Sequence, residues 1–153
     1  MIWTFPDLDR PSVPETFARA LFAARLVQAR QLRGLSQRAL GDRMGLGKER
    51  GSSRINRYER QVTAIGFQSL EKLAEVLDVP VAYLLAENAT MADAILALAS
   101  ADQRQQECLV LALKGLSADP AFARVLLNIL QMPKREQEKA KKALLALTDA
   151  QKE

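Results

Sequence analysis

The 153-residue sequence contains no histidine and a single cysteine. Without imidazole, Ser-His-Asp and Cys-His nucleophile systems and every histidine-containing metal site are excluded. One cysteine excludes an intrachain disulfide, and Cys108 lies in the apolar run ECLVLAL, which predicts a small buried hydrophobe and not a reactive thiol. We therefore expect no catalytic residues, no metal site and no cofactor, and we expect a cytoplasmic protein.

Aromatic residues and long apolar runs are also scarce. Aromatics make up 5% of a chain that is 48% apolar, in which Ala and Leu dominate. This composition favours helices packed on helices. No stretch approaches the roughly 20 apolar residues of a membrane span, and the first residues lack the segments of a signal peptide. The sequence predicts an all-α protein without a membrane segment.

The positive charge of the chain is concentrated in one segment. The formal net charge of +4 is too small by itself to indicate a nucleic-acid ligand. Residues 19–60, however, carry eleven basic against three acidic residues, a net charge of +8. The rest of the chain carries eleven basic against fifteen acidic residues, a net charge of −4. The basicity is therefore local.

Proline, glycine and apolar spacing divide the first part of the chain into an arm and five helices. Residues 1–14 hold three prolines around two aromatic rings, which predicts an extended arm that either docks on a neighbour or frays. The five helices lie within residues 15–88. The first helix covers 15–33 and is stopped by Gly34, and the second covers 37–44 and is capped by Ser36. The third ends near Arg60, the fourth begins at Phe67 and the short fifth is opened by Pro80.

Residues 89–153 predict four further helices and a separate C-terminal region. The first covers 91–99, and the second follows a capping-box signature at Ser100–Gln103 and ends before Gly115. Asp119 and Pro120 open the third, and Pro133 opens a last helix that is rich in lysine. The side chains expected to point inward from the third are Phe122, Leu126, Ile129 and Leu130.

The third helix of the first part has two different faces at 100° per residue. With Ile55 at zero, Tyr58 and Glu59 lie within about 60° of it. Arg50, Ser53, Arg57 and Arg60 lie within about 40° of the opposite pole, and Arg54 and Asn56 lie on the flanks. A solvated arginine face is one interpretation. The short helix before it favours an anion-binding face, because two short helices joined by a tight turn are typical of a helix-turn-helix.

The segments LSQRALGDRMGLG, SSRINRYER and FQSLEKLAEVLDVPVAYLL occur in this order. They resemble the Cro and phage-repressor type of helix-turn-helix domain, also called the xenobiotic-response-element type. The resemblance covers residues 17–87. It implies a five-helix DNA-binding domain at 15–88 and a regulator of transcription that binds double-stranded DNA sequence-specifically. It leaves unexplained the smaller helical region at 89–153, which the helix signals of that segment predict.

The resemblance also implies roles for individual residues. Gln37 would bind a phosphate, and Arg30 and Glu59 would form a structural ion pair. Base edges would be reached by Ser52, Ser53 and Arg57. Arg57 would specify a base, because Arg can bond guanine O6 and N7 together, whereas the serines would mainly permit close approach. We add Arg50 to the base contacts, and the further phosphate contacts are Lys48, Arg54, Asn56 and Arg60.

The sequence departs from the family between Gly45 and Ser52, where GLGKERG is about four residues longer than the usual turn. An added helical turn keeps the helix faces in register, although Gly51 costs it roughly 1 kcal/mol relative to Ala. A longer loop is the alternative. The choice decides whether Lys48 and Arg50 enter the groove or contact phosphates from outside.

A single recognition helix buries too little surface for tight binding, and such domains act as two-fold dimers. The runs CLVLAL and VLLNIL in residues 89–153 are apolar on several faces. We therefore expect a homodimeric repressor, with a monomeric helical bundle or ligand pocket as the alternative for this region. Two other functions remain open. One is an antitoxin or anti-repressor-like module whose C-terminal helices bind a protein partner, and the other is a regulator with a small-molecule effector site there.

Overall fold

The computed structural model describes residues 15–47 and 50–149. The arm predicted at residues 1–14 and the candidate phosphate contact Lys48 lie outside the described residues. Every regular element in the described part is helical, which confirms the all-α fold class. The helices are α1 (Glu15–Leu32), α2 (Gln37–Arg43), α3 (Arg50–Glu59), α4 (Phe67–Leu77), a short 3₁₀ helix (Val81–Leu85), α5 (Ala89–Ala99), α6 (Gln103–Ala118), α7 (Pro120–Gln131) and α8 (Lys134–Asp149).

Local chemistry sets the ends of these helices. Gly34 follows α1 with φ of +62°, a left-handed conformation that favours glycine. Ser36 then caps α2, since its hydroxyl accepts a hydrogen bond from the backbone N–H of Ala39 at 3.0 Å. The predicted capping box exists two residues later than expected, between Asp102 and Gln105. The prediction that this helix ends before Gly115 is wrong, because its backbone hydrogen bonds continue to Ala118.

The chain divides into two compact units, Met1–Ala101 and Asp102–Glu153. The first unit contains the hydrophobic core, to which all of its helices contribute. Its fully buried large side chains are Leu26, Leu40, Ile55, Leu73, Leu77 and Leu84, each stabilising by roughly 1.5–3 kcal/mol. Ala92 of α5 is also buried in this core. The first unit therefore extends beyond residue 88, where the sequence places the domain boundary.

Helices α2 and α3 pack unusually closely. Gly41 of α2 faces Gly51 of α3, and a Cβ atom added to Gly41 would lie 2.5 Å from the carbonyl carbon of Gly51. The N–H of Gly51 bonds the carbonyl of Gly47 at 3.0 Å, and α3 begins at Arg50. The alternatives for the long turn were an added helical turn and a longer loop. At Arg50 and Gly51 the structure is helical.

The second unit is an open series of helices in which α6 packs on α7 and α7 packs on α8. None of its described side chains is buried. The prediction that Phe122 and Leu130 point inward is wrong, since they are 49% and 69% exposed. Cys108 is likewise exposed and not buried. These side chains are exposed because too few helices of this unit surround α6 and α7. Among the described residues, no helix combines the length and apolarity needed to cross a membrane.

Candidate nucleic-acid interface

The two faces of α3 face different environments. Ile55 is fully buried and Tyr58 is 2% exposed, so this side anchors α3 to the core. The opposite side, with Arg50, Ser53 and Arg57, is exposed. This distribution confirms the two faces expected from the helical wheel. Burial of the apolar side holds the arginines outward on a helix whose position is fixed.

Arg30 of α1 and Glu59 at the end of α3 form an ion pair through two hydrogen bonds. Arg30 Nε donates to Glu59 Oε1 at 2.6 Å and Nη2 donates to Oε2 at 3.2 Å. Arg30 Nη1 also donates to the carbonyl of Leu35 at 2.8 Å. The side chains are only 16% and 7% exposed. A largely buried pair with this forked geometry fixes the end of α3 against α1.

Gln37, the first residue of α2, is held between two residues of α3. Its Nε2 donates to Glu59 Oε2 at 2.6 Å, and its Oε1 accepts from Asn56 Nδ2 at 3.3 Å. Each amide nitrogen carries two hydrogens, so one N–H of Gln37 and one of Asn56 remain for another acceptor. The network connects both helices of the motif to the Arg30–Glu59 pair. The sequence alone did not indicate that these four side chains form one network.

Arg54 rests on Tyr58, one turn further along α3. Its Nε donates to the Tyr58 hydroxyl at 3.1 Å, and its Cζ lies 6.0 Å from the centre of the ring. Tyr58 in turn meets the ring of Phe22 edge to face, at 6.3 Å between centroids. Stacking and a hydrogen bond restrict the guanidinium while leaving its other nitrogens free to donate.

An open cleft of about 840 Å³ follows the outer side of α3. The residues of α3 that line it are Arg50, Ser53, Arg54 and Arg57. Gly45 and Leu46 from the preceding turn and Thr63 from the following loop complete the walls. The structure thus brings four candidate contacts together, whereas Ser52, Asn56 and Arg60 lie outside this cleft. Thr63 was missed because an isolated threonine in a loop carries no pattern.

Comparisons with known proteins agree with this architecture. The sequence model of a family described as "Helix-turn-helix" matches residues 26–84. The crystal structure of the transcriptional regulator BswR is similar to this chain with 34% sequence identity and a TM-score of 0.57. The similarity covers 63% of this chain and 96% of that one. No curated protein matches the sequence.

The helical fold and these two matches identify a DNA-binding regulator of transcription. The chain belongs to the Cro and phage-repressor type of helix-turn-helix proteins.

Proposed function

We propose that the protein is a dimeric repressor that reads the major groove of double-stranded DNA with α3. The observation that carries this proposal is the row of Arg50, Ser53 and Arg57 along one cleft, directly opposite the buried Ile55. An α-helix fits the major groove, where each base pair presents a distinct set of donors and acceptors. An outward row of donors on a rigid helix suits this readout.

Base contacts are assigned to this row and to Ser52 beside it. Arg57 lines the cleft, and its guanidinium fork matches O6 and N7 of guanine. Arg50 lies two turns earlier on the same side. Ser53 is exposed and Ser52 half-buried, and as small residues both allow close approach of the backbone to the bases. Arg57 then supplies most of the discrimination.

Phosphate contacts are assigned around this row. Gln37 and Asn56 each retain one N–H, and Arg54 retains its terminal nitrogens, so each can donate to a phosphate oxygen. Arg60 is exposed directly after α3, and Lys48 is included by its position in the basic sequence segment between α2 and α3. Neutralising phosphates supplies affinity without sequence preference.

The dimer and its repressing action belong to the same proposal. Two copies related by a two-fold axis would present their α3 helices to successive half-sites about 34–36 Å apart. Occupation of such an operator excludes other proteins from the same DNA and so represses transcription. The exposed apolar side chains of the second unit support association of two copies. In this proposal the protein acts by binding DNA and not by catalysis, and it does so in the cytoplasm.

The test measures fluorescence anisotropy with duplexes enriched from genomic fragments by the immobilised protein. Arg57→Ala should cost about 1–3 kcal/mol on enriched duplexes and much less on random ones. Arg60→Ala should weaken both alike and lower the salt slope by about one. Arg124→Ala removes one exposed positive charge from α7 and is the matched control, with affinity unchanged. Equal losses for Arg57→Ala on all duplexes would remove its role in base recognition.

A second function fits the same exposed apolar surface. If the helices of the second unit bind a different protein, the chain is an antitoxin or anti-repressor-like module whose DNA binding serves autoregulation. That surface favours some macromolecular partner over a free monomer. A foreign protein that remains bound in a 1:1 ratio through purification would support this alternative, and a pure homodimer would count against it.

A further inference from the structure

The second unit leaves an unusual amount of apolar surface uncovered. Twelve large apolar side chains between Leu109 and Leu147 are at least 38% exposed. Together they expose roughly 1,000 Å² per chain, against the roughly 800 Å² that each partner buries in a standard interface. None of the described side chains of this unit is buried in return. The unit therefore has the surface of a protein interface and lacks a core of its own.

Helix α7 shows why the single chain cannot cover this surface. At 100° per residue, its apolar side chains span an arc of about 200°, twice the roughly 100° stripe of a helix that faces one core. Within the chain, contacts of α7 with α6 and α8 leave Leu126 and Ile129 half-buried. Val125, Leu127 and Leu130, on both sides of them, stay 52%, 53% and 69% exposed.

The uncovered surface includes a groove between α7 and α8. Its volume is about 360 Å³, and most of its walls are apolar. Leu126, Leu130 and Leu144 line it, and Glu138 and Lys141 of α8 lie beside them. We call the surface formed by these five side chains the α7–α8 face. An apolar centre with one acidic and one basic residue at its edge is the pattern of an interface with a polar rim.

We propose that the α7–α8 face of one chain packs against the same face of a second copy. This inference rests on the dimer of the proposed function and names the surface that forms it. A two-fold axis makes the contact self-complementary, because apolar side chains meet apolar side chains. It also lets Glu138 of one chain lie beside Lys141 of the second copy. Eight of the twelve exposed apolar side chains lie on α7, on α8 or in the turn between them. About two thirds of the exposed apolar area, roughly 700 Å², is therefore available to this contact, which is close to the roughly 800 Å² that each partner buries in a standard interface. A second copy is therefore a sufficient occupant.

The test is sedimentation velocity of the full chain without DNA. The wild type should sediment at twice the chain mass of 16.9 kDa. Leu130→Glu places a carboxylate in the contact twice and should weaken self-association roughly 100-fold or more. Leu32→Glu is the matched control, because Leu32 of α1 has the same 69% exposure as Leu130 but lies in the first unit. This control and Leu130→Met should remain dimeric.

Leu130 is mostly exposed in the single chain, so Leu130→Glu removes little packing within it. Far-UV circular dichroism should show that the variant keeps the helix content of the wild type. A monomeric wild type, a dimeric Leu130→Glu variant, or a foreign protein bound 1:1 in place of the second copy would overturn the inference. Because the measured quantity is mass without DNA, a dimer that fails to bind DNA would refute the proposed function and leave this interface standing.

Discussion

Replacing Gly41 by Ala is expected to destabilise the first unit, although alanine is the better helix former. At an unobstructed helical position the change stabilises by up to about 1 kcal/mol. Here the new Cβ would lie 2.5, 2.6 and 2.9 Å from three backbone atoms of Gly51. Backbone atoms cannot rotate away as a side chain end can, so α2 and α3 must separate.

The magnitude follows from these two opposing effects. Overpacking costs typically 1–3 kcal/mol, and contacts this short with backbone lie at the upper end. After subtraction of the propensity gain, Gly41→Ala should lower the free energy of unfolding by about 2 kcal/mol. Gly51→Ala should cost less, because its Cβ would meet Gly41 at 2.9 Å and beyond. Both changes should also weaken DNA binding, since α3 moves.

The assay is urea and thermal unfolding followed by far-UV circular dichroism. For a domain of this size, a loss of about 2 kcal/mol lowers the melting temperature by roughly 10 °C. Gly115→Ala is the matched control, because Gly115 lies within α6 with no atom near the position of a Cβ. That variant should be as stable as the wild type or more stable. Stabilisation by Gly41→Ala would refute the close approach of α2 and α3.

Three further predictions concern the ion pair, the units and the charge. Glu59→Ala leaves Arg30 and Gln37 without their carboxylate and should lower the free energy of unfolding by about 3–5 kcal/mol in chemical unfolding. Glu75→Ala removes only an exposed pair and should lower it by under about 1 kcal/mol. Similar losses for both would show that the Glu59 network is not structural. A chain ending at Ala101 retains the whole core and should fold as a monomer, whereas an unfolded or dimeric fragment would contradict the division into units. The logarithm of DNA affinity should fall with the logarithm of salt concentration with a slope of about −0.9 per neutralised phosphate, and a flat response would exclude phosphate contacts.

The two faces of α3 could be predicted because helical geometry converts sequence spacing directly into direction. Ile55 and Tyr58 lie on the buried side as their spacing requires. The start of α2 at Gln37 could be predicted for a similar reason, since the cap at Ser36 is a local interaction. Features that depend only on neighbours in sequence could therefore be predicted from the sequence.

Features that depend on the distance between elements could not be predicted. Gly51 in α3 looks unfavourable in sequence, and its reason becomes visible only when Gly41 lies against it. In the same way, the bond between Asn56 and Gln37 requires two helices at a particular separation. Apolar spacing in α7 indicated an inner face for Leu130, but spacing does not say how many helices are available to cover it.

The most direct test of α3 as the reading helix is dimethyl sulfate protection of an enriched duplex. This reagent methylates guanine N7 in the major groove and adenine N3 in the minor groove, so it reports which groove is occupied. If α3 occupies the major groove, the wild type should protect guanine N7, Arg57→Ala should lose this protection at one base pair per half-site, and Arg124→Ala should behave as the wild type. Protection confined to adenine N3, or guanine protection that survives Arg57→Ala, would contradict the role of α3 as the reading helix.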